Sequence, residues 1–458
     1  MIGRFPWDPF PPGEPTPEGA DPLLAAFYRG SVEGSDAYRG VRSALRLDGG
    51  TLRVGNRFVS EGRYREVAFV AVGHAASSMA LAALHVFGER LTQGFVAGPD
   101  EPPDGVPFRS VVVDDGWGGA PVAAETVAAA QEIAGGLRAN DLFLLLLSPG
   151  AVRTMLRPPP GLDAVAFADL LAGVHDAGAT SVEISEIVRV LGTGGVGGQL
   201  LARGTEADVQ CLIVDRGDGA VAVGGGPTYP VTDDERARVR AVLARTGVLS
   251  DLPAAATAKL ADRGPVPEPP GAARPRPVVV AAPADALRGA ADVAFDKGWT
   301  ARVGEIGAAG RPEEAAERFL GRVETVLAAE RAGEPSRTKG IAVLSTLTLD
   351  VPEGVDEGPA CERFLLRATA LLRRREMSVG LWRTAGPAGG PAKFAGAAVG
   401  TPTDPKATVP VGAARRLPMR RGITDVGLLA VALLPLSPNA RSGPSGAASP
   451  SSGRAQGA

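Results

Sequence analysis

The stretch Val67-Ala-Phe-Val-Ala-Val-Gly-His-Ala-Ala-Ser-Ser-Met79 decides the fold. Its first six residues are all apolar, which is the pattern of a strand covered on both faces rather than of one with a wet side. Gly73 ends the run, and small residues suited to a helix follow at once. A buried strand passing through glycine into a helix is the repeating unit of a parallel α/β layer. The unpaired N–H groups at such a helix start, helped by the helix dipole, favour an anion, and Gly73 allows close approach to the backbone. A phosphate-handling protein needs a cation there. The chain offers His74, and no lysine occurs before Lys259.

Working outward, the same reading gives strands at Val67 to Gly73, Ser110 to Val113, Leu142 to Ser148 and Val209 to Val214, with helical patterns at Ala123 to Leu137 and Ala164 to Asp176 between them. The segment Asp262-Arg-Gly-Pro-Val-Pro-Glu-Pro-Pro-Gly-Ala-Ala-Arg-Pro-Arg-Pro277 is the clearest internal break and reads as a semi-rigid linker. After it come strands at Val278 to Ala281, Gly340 to Ser345, Ser378 to Trp382 and Gly427 to Leu434. A helix over Pro312 to Ala329 sets Ala316, Phe319, Leu320, Val323 and Leu327 on one face. The expectation is an α/β protein of two domains, 21–261 and 278–436, each a mostly parallel sheet flanked by helices, with a cleft between them. Residues 1–20 and 437–458, rich in Pro, Gly, Ser and Ala, are expected to be a disordered lead-in and tail.

Composition bounds the class. At 458 residues, 45% hydrophobic and 22% charged, the chain exceeds what one core usually serves. A formal charge of -3 and the lack of a long basic run give no footprint for nucleic acid. Cys211 and Cys361 are far apart in apolar or helical contexts, the pattern of buried thiols in a reducing compartment. No apolar run reaches membrane-spanning length and the amino terminus lacks a signal-peptide core, so no membrane partner and a cytoplasmic location are expected.

The order of elements resembles the bacterial glycerate 2-kinase family, in which an α/β domain precedes a module called MOFRL. The resemblance runs from about Pro22 to Leu434. The family's Gly-Lys-Ala-Ala is matched by Gly73-His74-Ala75-Ala76, and its Ser-Gly-Gly-Gly-Ser loop by Ser148-Pro149-Gly150-Ala151. Its Glu-x-Asn-x-Val-Arg run is matched by Glu183-Ile184-Ser185-Glu186-Ile187-Val188-Arg189, its Lys-Gly-Gly by Val196-Gly197-Gly198, and its Ser-Asp-Val strand end by Val214-Asp215-Arg216. Its Ser-Gly-Pro-Thr loop is matched by Gly225-Gly226-Pro227-Thr228. In the second half, Gly358-Pro359-Ala360-Cys361-Glu362 stands at an arginine-bearing turn, and Ala385 and Ala388 stand where the family has aspartates.

The resemblance implies ATP-dependent phosphorylation of D-glycerate, with ATP and magnesium as cofactors, a hydroxy acid and a nucleotide as ligands, and His74 and Arg189 in catalytic places. It implies Gly73, Ser148, Gly150, Gly197, Gly198, Asp215, Gly226 and Thr228 as binding positions. The replacements argue against turnover, because phosphoryl transfer rests on positioning and charge neutralisation. Two lysines and one arginine of the pattern are gone, and a histidine offers a cation only when protonated. Of the 48 basic side chains five are lysines, yet the substitutes here are histidine, valine and proline rather than arginine. Each position also has a plainer reading: His74 as a polar cap, Arg189 as a structural arginine, Gly192 to Gly198 as a connector, Ser148 to Gly150 as a loop, and Asp215 as a turn former. Three scattered histidines form no metal pattern. Two readings follow, an enzyme with reduced or lost kinase activity and a binding or scaffolding protein that keeps the fold.

Overall fold

The computed structural model describes residues 22–99, 108–113, 120–201, 204–217, 219, 223–261, 277–332, 338–349, 358–371, 377–383, 394–399, 415–418 and 428–435. The two terminal segments, almost all of the 262–277 segment read as a linker, and residues 384–393 with Ala385 and Ala388 lie outside them.

Six strands form the first sheet: β1 (Val67–Val72), β2 (Leu91–Gly98), β3 (Arg109–Val112), β4 (Leu142–Leu147), β5 (Asp208–Val214) and β6 (Val278–Ala281). All pair in parallel, in the order β6-β5-β4-β1-β2-β3. Alternate side chains explain why β1 and β4 read as unbroken apolar runs. Val67, Phe69, Ala71, Leu142, Leu144 and Leu146 enter one core with α2 (Ala37–Ala44) and α3 (Ala76–Phe87). Ala68, Val70, Val72, Phe143, Leu145 and Leu147 enter a second core against α4 (Ala120–Gly136) and α5 (Ala151–Met155). Each fully buried Leu, Val or Phe contributes roughly 1.5–3 kcal/mol, so both faces of these central strands stabilise the sheet.

A helical layer extends it: α6 (Ala164–Asp176), α7 (Ser181–Leu191), α8 (Asp233–Arg245) and α9 (Ala254–Ala261), packed through Phe167, Leu171, Ile187, Leu191, Val239 and Leu260. Capping boxes start α7 at Thr180 with Glu183, and α8 at Thr232 with Glu235.

The second sheet holds β7 (Thr300–Val303), β8 (Ala308–Gly310), β9 (Gly340–Leu349), β10 (Ser378–Arg383), β11 (Phe394–Val399), β12 (Arg415–Pro418) and β13 (Leu428–Pro435). Here the expectation of a mostly parallel sheet is corrected. β7 and β8 run parallel to β9, but β13 runs antiparallel to both β9 and β10, and β11 runs antiparallel to β10 and β12. The sheet is mixed, and the sequence pattern does not show it because a strand buried on both faces reads the same in either direction. One face is covered by α11 (Pro312–Ala332) and α12 (Gly358–Leu371), with Ala316, Phe319, Leu320, Val323 and Leu327 buried as the spacing predicts.

Two segments sit where the chain order does not place them. The strand at Val278–Ala281, read as the start of the second unit, is the edge strand β6 of the first sheet, in register with Leu212 and Ile213. Conversely α1 (Pro22–Gly34), at the front of the chain, packs with α10 (Pro283–Asp296) on the other face of the second sheet. Leu24, Phe27, Tyr28 and Val32 share that core with Leu287, Ala290, Trp382, Leu429 and Val431. Trp382 Nε1–H donates to Ser31 Oγ at 3.0 Å. The α1–α10 crossing is tight: a Cβ on Gly289 would lie 2.0 Å from the Gly30 carbonyl oxygen.

Candidate functional site

The strand order reverses between β1 and β4, and doubly wound sheets take ligands outside the carboxyl ends of their strands at that switch point. The register puts Val72 beside Leu147 and Leu147 beside Ile213, so Gly73, Ser148 and Asp215 all leave the sheet at this one edge.

Gly73 and the 148–150 turn are in direct contact. Gly73 has φ +110°, and a Cβ there would lie 2.3 Å from the Ser148 carbonyl oxygen and 2.5 Å from its Oγ. Ser148 is fully buried. Its hydroxyl donates to the Val72 carbonyl at 3.3 Å and accepts from Ala75 N–H at 2.9 Å. His74 N–H donates to the Pro149 carbonyl at 2.8 Å, and Ala76 N–H to the Gly73 carbonyl at 3.1 Å. The His74 ring lies against the α-carbon of Gly150, where a Cβ would stand 2.6 Å from Nε2. Three of the amides expected to face an anion at the start of α3 thus end on the protein's own oxygens.

The glycine loops pair with each other. Gly197 N–H donates to the Gly225 carbonyl at 2.8 Å, Gly198 N–H to the Gly226 carbonyl at 2.9 Å, and Leu200 N–H to the Pro227 carbonyl at 3.3 Å. The 223–225 turn rests on α5, with the Gly224 α-carbon facing Ala151, Met155 and Leu147, which joins this pair of loops to the 148–150 turn. Lys259 Nζ donates to the Gly192 carbonyl at 2.6 Å, fixing the other end of the loop.

Arg189 is 3% exposed. Its Nε donates to Glu235 Oε1 at 3.0 Å, NH1 to the Gly225 carbonyl at 3.2 Å and NH2 to the Tyr229 carbonyl at 3.5 Å. Burial pushes the Glu235 carboxyl up, but the Thr232 N–H and the Arg189 charge outweigh it and hold it below the ordinary range. Glu186 pairs with Arg238, and Glu183 with Arg245, so three ion pairs join α7 to α8. Arg189 is the buried one and ties the glycine loops to that frame.

Asp215 closes its own turn: its Oδ1 accepts from Gly217 N–H at 2.9 Å and Gly219 N–H at 3.3 Å, while its N–H donates to the Ala281 carbonyl at 2.9 Å. Thr228 is different. It is 8% exposed, and its Oγ1 is one of three buried side-chain polar atoms without a partner among the described residues.

The structure therefore joins Gly73, His74, Ser148 and Gly150 in one contact, and Arg189, Gly197, Gly198 and Gly226 in an adjoining one, with Asp215 at the end of β5. Sequence reasoning missed Glu235 and Lys259, which fix Arg189 and the glycine loop. Glu235 carried a signal in its capping box, Thr232-Asp-Asp-Glu235. A nucleoside triphosphate would find the amides of His74, Ala75, Ala76, Gly197 and Gly198 and the Arg189 guanidinium already bonded. Among the described residues no three His, Cys, Asp or Glu side chains gather to hold a metal ion, and no helix is long and apolar enough to cross a membrane.

A doubly wound parallel sheet with its loops gathered at the switch point, joined to a mixed-sheet unit, defines a two-unit α/β protein. The family profile described as "Domain of unknown function (DUF4147)" matches residues 23–261, and the chain belongs to that family. Over 90% of its length it is similar to two solved structures, in each case covering 98% of the other chain. One is the PH0495 protein of Pyrococcus horikoshii OT3, with TM-score 0.64 and 19% identity. The other is a glycerate kinase of Thermotoga maritima, with TM-score 0.63 and 21% identity. The fold is that of the Thermotoga maritima glycerate kinase. No curated protein matches it.

Proposed function

We propose that this protein keeps the glycerate kinase architecture as a binding protein for a small hydroxy acid, with ATP-dependent phosphorylation of D-glycerate reduced or lost. The observation that carries this reading is the Arg189–Glu235 pair at 3.0 Å. The buried cation at this edge neutralises a glutamate, and a transferring phosphoryl group needs a cation of its own. His74 against Gly150 and the internally bonded amides support the same conclusion. The unpartnered Thr228 hydroxyl is the group best suited to meet a hydroxyl or carboxylate of a bound acid, because a buried polar atom gains most from a partner. The unit built on the second sheet takes the place of the MOFRL module in this reading, and the cytoplasm is its compartment.

The test is steady-state turnover of the purified protein with ATP, magnesium and D-glycerate. Turnover orders of magnitude below that of a family member with intact Gly-Lys-Ala-Ala and Lys-Gly-Gly positions is expected, together with D-glycerate binding by calorimetry that Thr228→Val weakens. Robust phosphorylation of glycerate overturns the reading. It would favour the second one, an active kinase working through His74.

A further inference from the structure

The amino end of α3 lies at the switch point, where a doubly wound sheet exposes helix amides to a ligand. In this chain the oxygens there come from the protein itself. Pro149 supplies a carbonyl oxygen to His74 N–H at 2.8 Å, and Ser148 supplies a hydroxyl oxygen to Ala75 N–H at 2.9 Å. Ser148 is fully buried and bonded on both sides, since its hydroxyl proton goes to the Val72 carbonyl at 3.3 Å. The turn is also closed on itself, with Ala151 N–H donating to the Ser148 carbonyl at 3.1 Å and Gly150 at φ +87°. The His74 ring caps it, stacked so closely on Gly150 that no side chain fits between them.

We infer that the turn Ser148–Gly150 is a lock on the switch point: its own oxygens occupy the positions a phosphate would need on the amides of His74 and Ala75, so these two amides are closed to nucleotide phosphate. The inference goes beyond the proposed function and does not depend on it. A hydroxy acid bound near Thr228 is compatible with a locked edge, and so is residual turnover through another path.

Hydrogen exchange of the full-length protein, read over residues 73–79, tests the lock with ATP plus magnesium and inorganic phosphate as probes. The amides are expected to be protected without any probe and unchanged when either is added at millimolar concentration. Slow exchange that appears only when ATP or phosphate is present overturns the inference. Ser148→Ala removes one hydrogen-bond partner, so exchange in this segment should rise about ten-fold, with the rest of β1 and β4 unchanged. An unaltered rate in this variant also overturns it, and if the variant does not fold, the titration of the unmodified protein decides. Turnover measured in parallel separates the two proposals. Phosphorylation with silent amides removes the proposed function and leaves the lock, whereas ATP-induced protection without turnover does the reverse.

Discussion

Replacing Arg189 with alanine distinguishes a structural arginine from a ligand-binding one. The guanidinium and the Glu235 carboxylate have side-chain exposures of 4% and 14%. Removing one partner of such a buried pair typically costs about 3–5 kcal/mol, because the remaining charge is left uncompensated. Two carbonyl oxygens also lose a donor, but that of Gly225 still accepts from Gly197 N–H, so most of the cost falls on Glu235. The pH dependence carries a sign. In the unmodified protein Glu235 is held below its ordinary range, so its contribution is present above the unfolded value and is lost as pH falls through the folded one. Without Arg189, burial acts with less opposition, Glu235 protonates more readily, and the deficit of the variant should shrink on acidification. Chemical denaturation at pH 7 and near pH 4 measures this, and Glu235→Gln in the Arg189→Ala background should recover part of the loss. An Arg189→Ala variant with unchanged stability and weakened D-glycerate binding would refute the reasoning.

Other perturbations probe separate links. Gly73→Ala places a methyl group 2.3 Å from the Ser148 carbonyl at a positive φ and should cost about 2–4 kcal/mol in denaturation; an unshifted midpoint would contradict the contact between the two loops. The Cys211 thiol is buried and pushed up to about 12, so it should resist thiol reagents at pH 8 until the protein unfolds, and rapid labelling of the native state would contradict this. Burial raises Asp141, but the bonds from Arg65 and the Arg138 and Glu66 N–H groups outweigh it and bring it below the ordinary range. Its stabilisation should therefore be present at neutral pH and fade on acidification, with Asp141→Asn and the unmodified protein converging in stability near pH 2. Gly289→Ala should push α1 off α10 and shift Trp382 emission to the red as its indole loses Ser31; an unchanged spectrum would argue against the tight crossing.

The parts of the fold legible in the sequence are those where local pattern and tertiary burial agree. β1 and β4 announce themselves because both their faces are buried, and Gly73 because the elbow needs its positive φ. β2, written Leu-Thr-Gln-Gly-Phe-Val-Ala-Gly, does not stand out, since polar residues and glycines dilute it and Thr92 and Gln93 are exposed. Strand direction in the second sheet was not legible at all: Leu429 and Ala430 are buried whether β13 runs with β9 or against it. At the site, sequence order placed Gly73, Ser148 and Asp215 on one edge, as the register of the strands has it. It could not show that Arg189 meets Glu235 across 46 positions, or that the amides of α3 meet the 148–150 turn, because such pairings depend on helix packing and loop path rather than on spacing.

The placement of α1 sets an order of events during synthesis. Ser31 and Trp382 are 351 positions apart, so during synthesis α1 has to keep Leu24, Phe27 and Val32 from other partners until β10 and β13 are made. The first sheet has only β6 to wait for, and α1 contributes nothing to its two cores. A fragment ending at residue 261 would carry α1 as an uncovered apolar helix, and one beginning at residue 278 would leave Trp382 and Val431 open to water, a surface that invites aggregation. The polypeptide is thus laced through itself, front to back, and the two halves divide cleanly neither for translation nor for the biochemist's scissors.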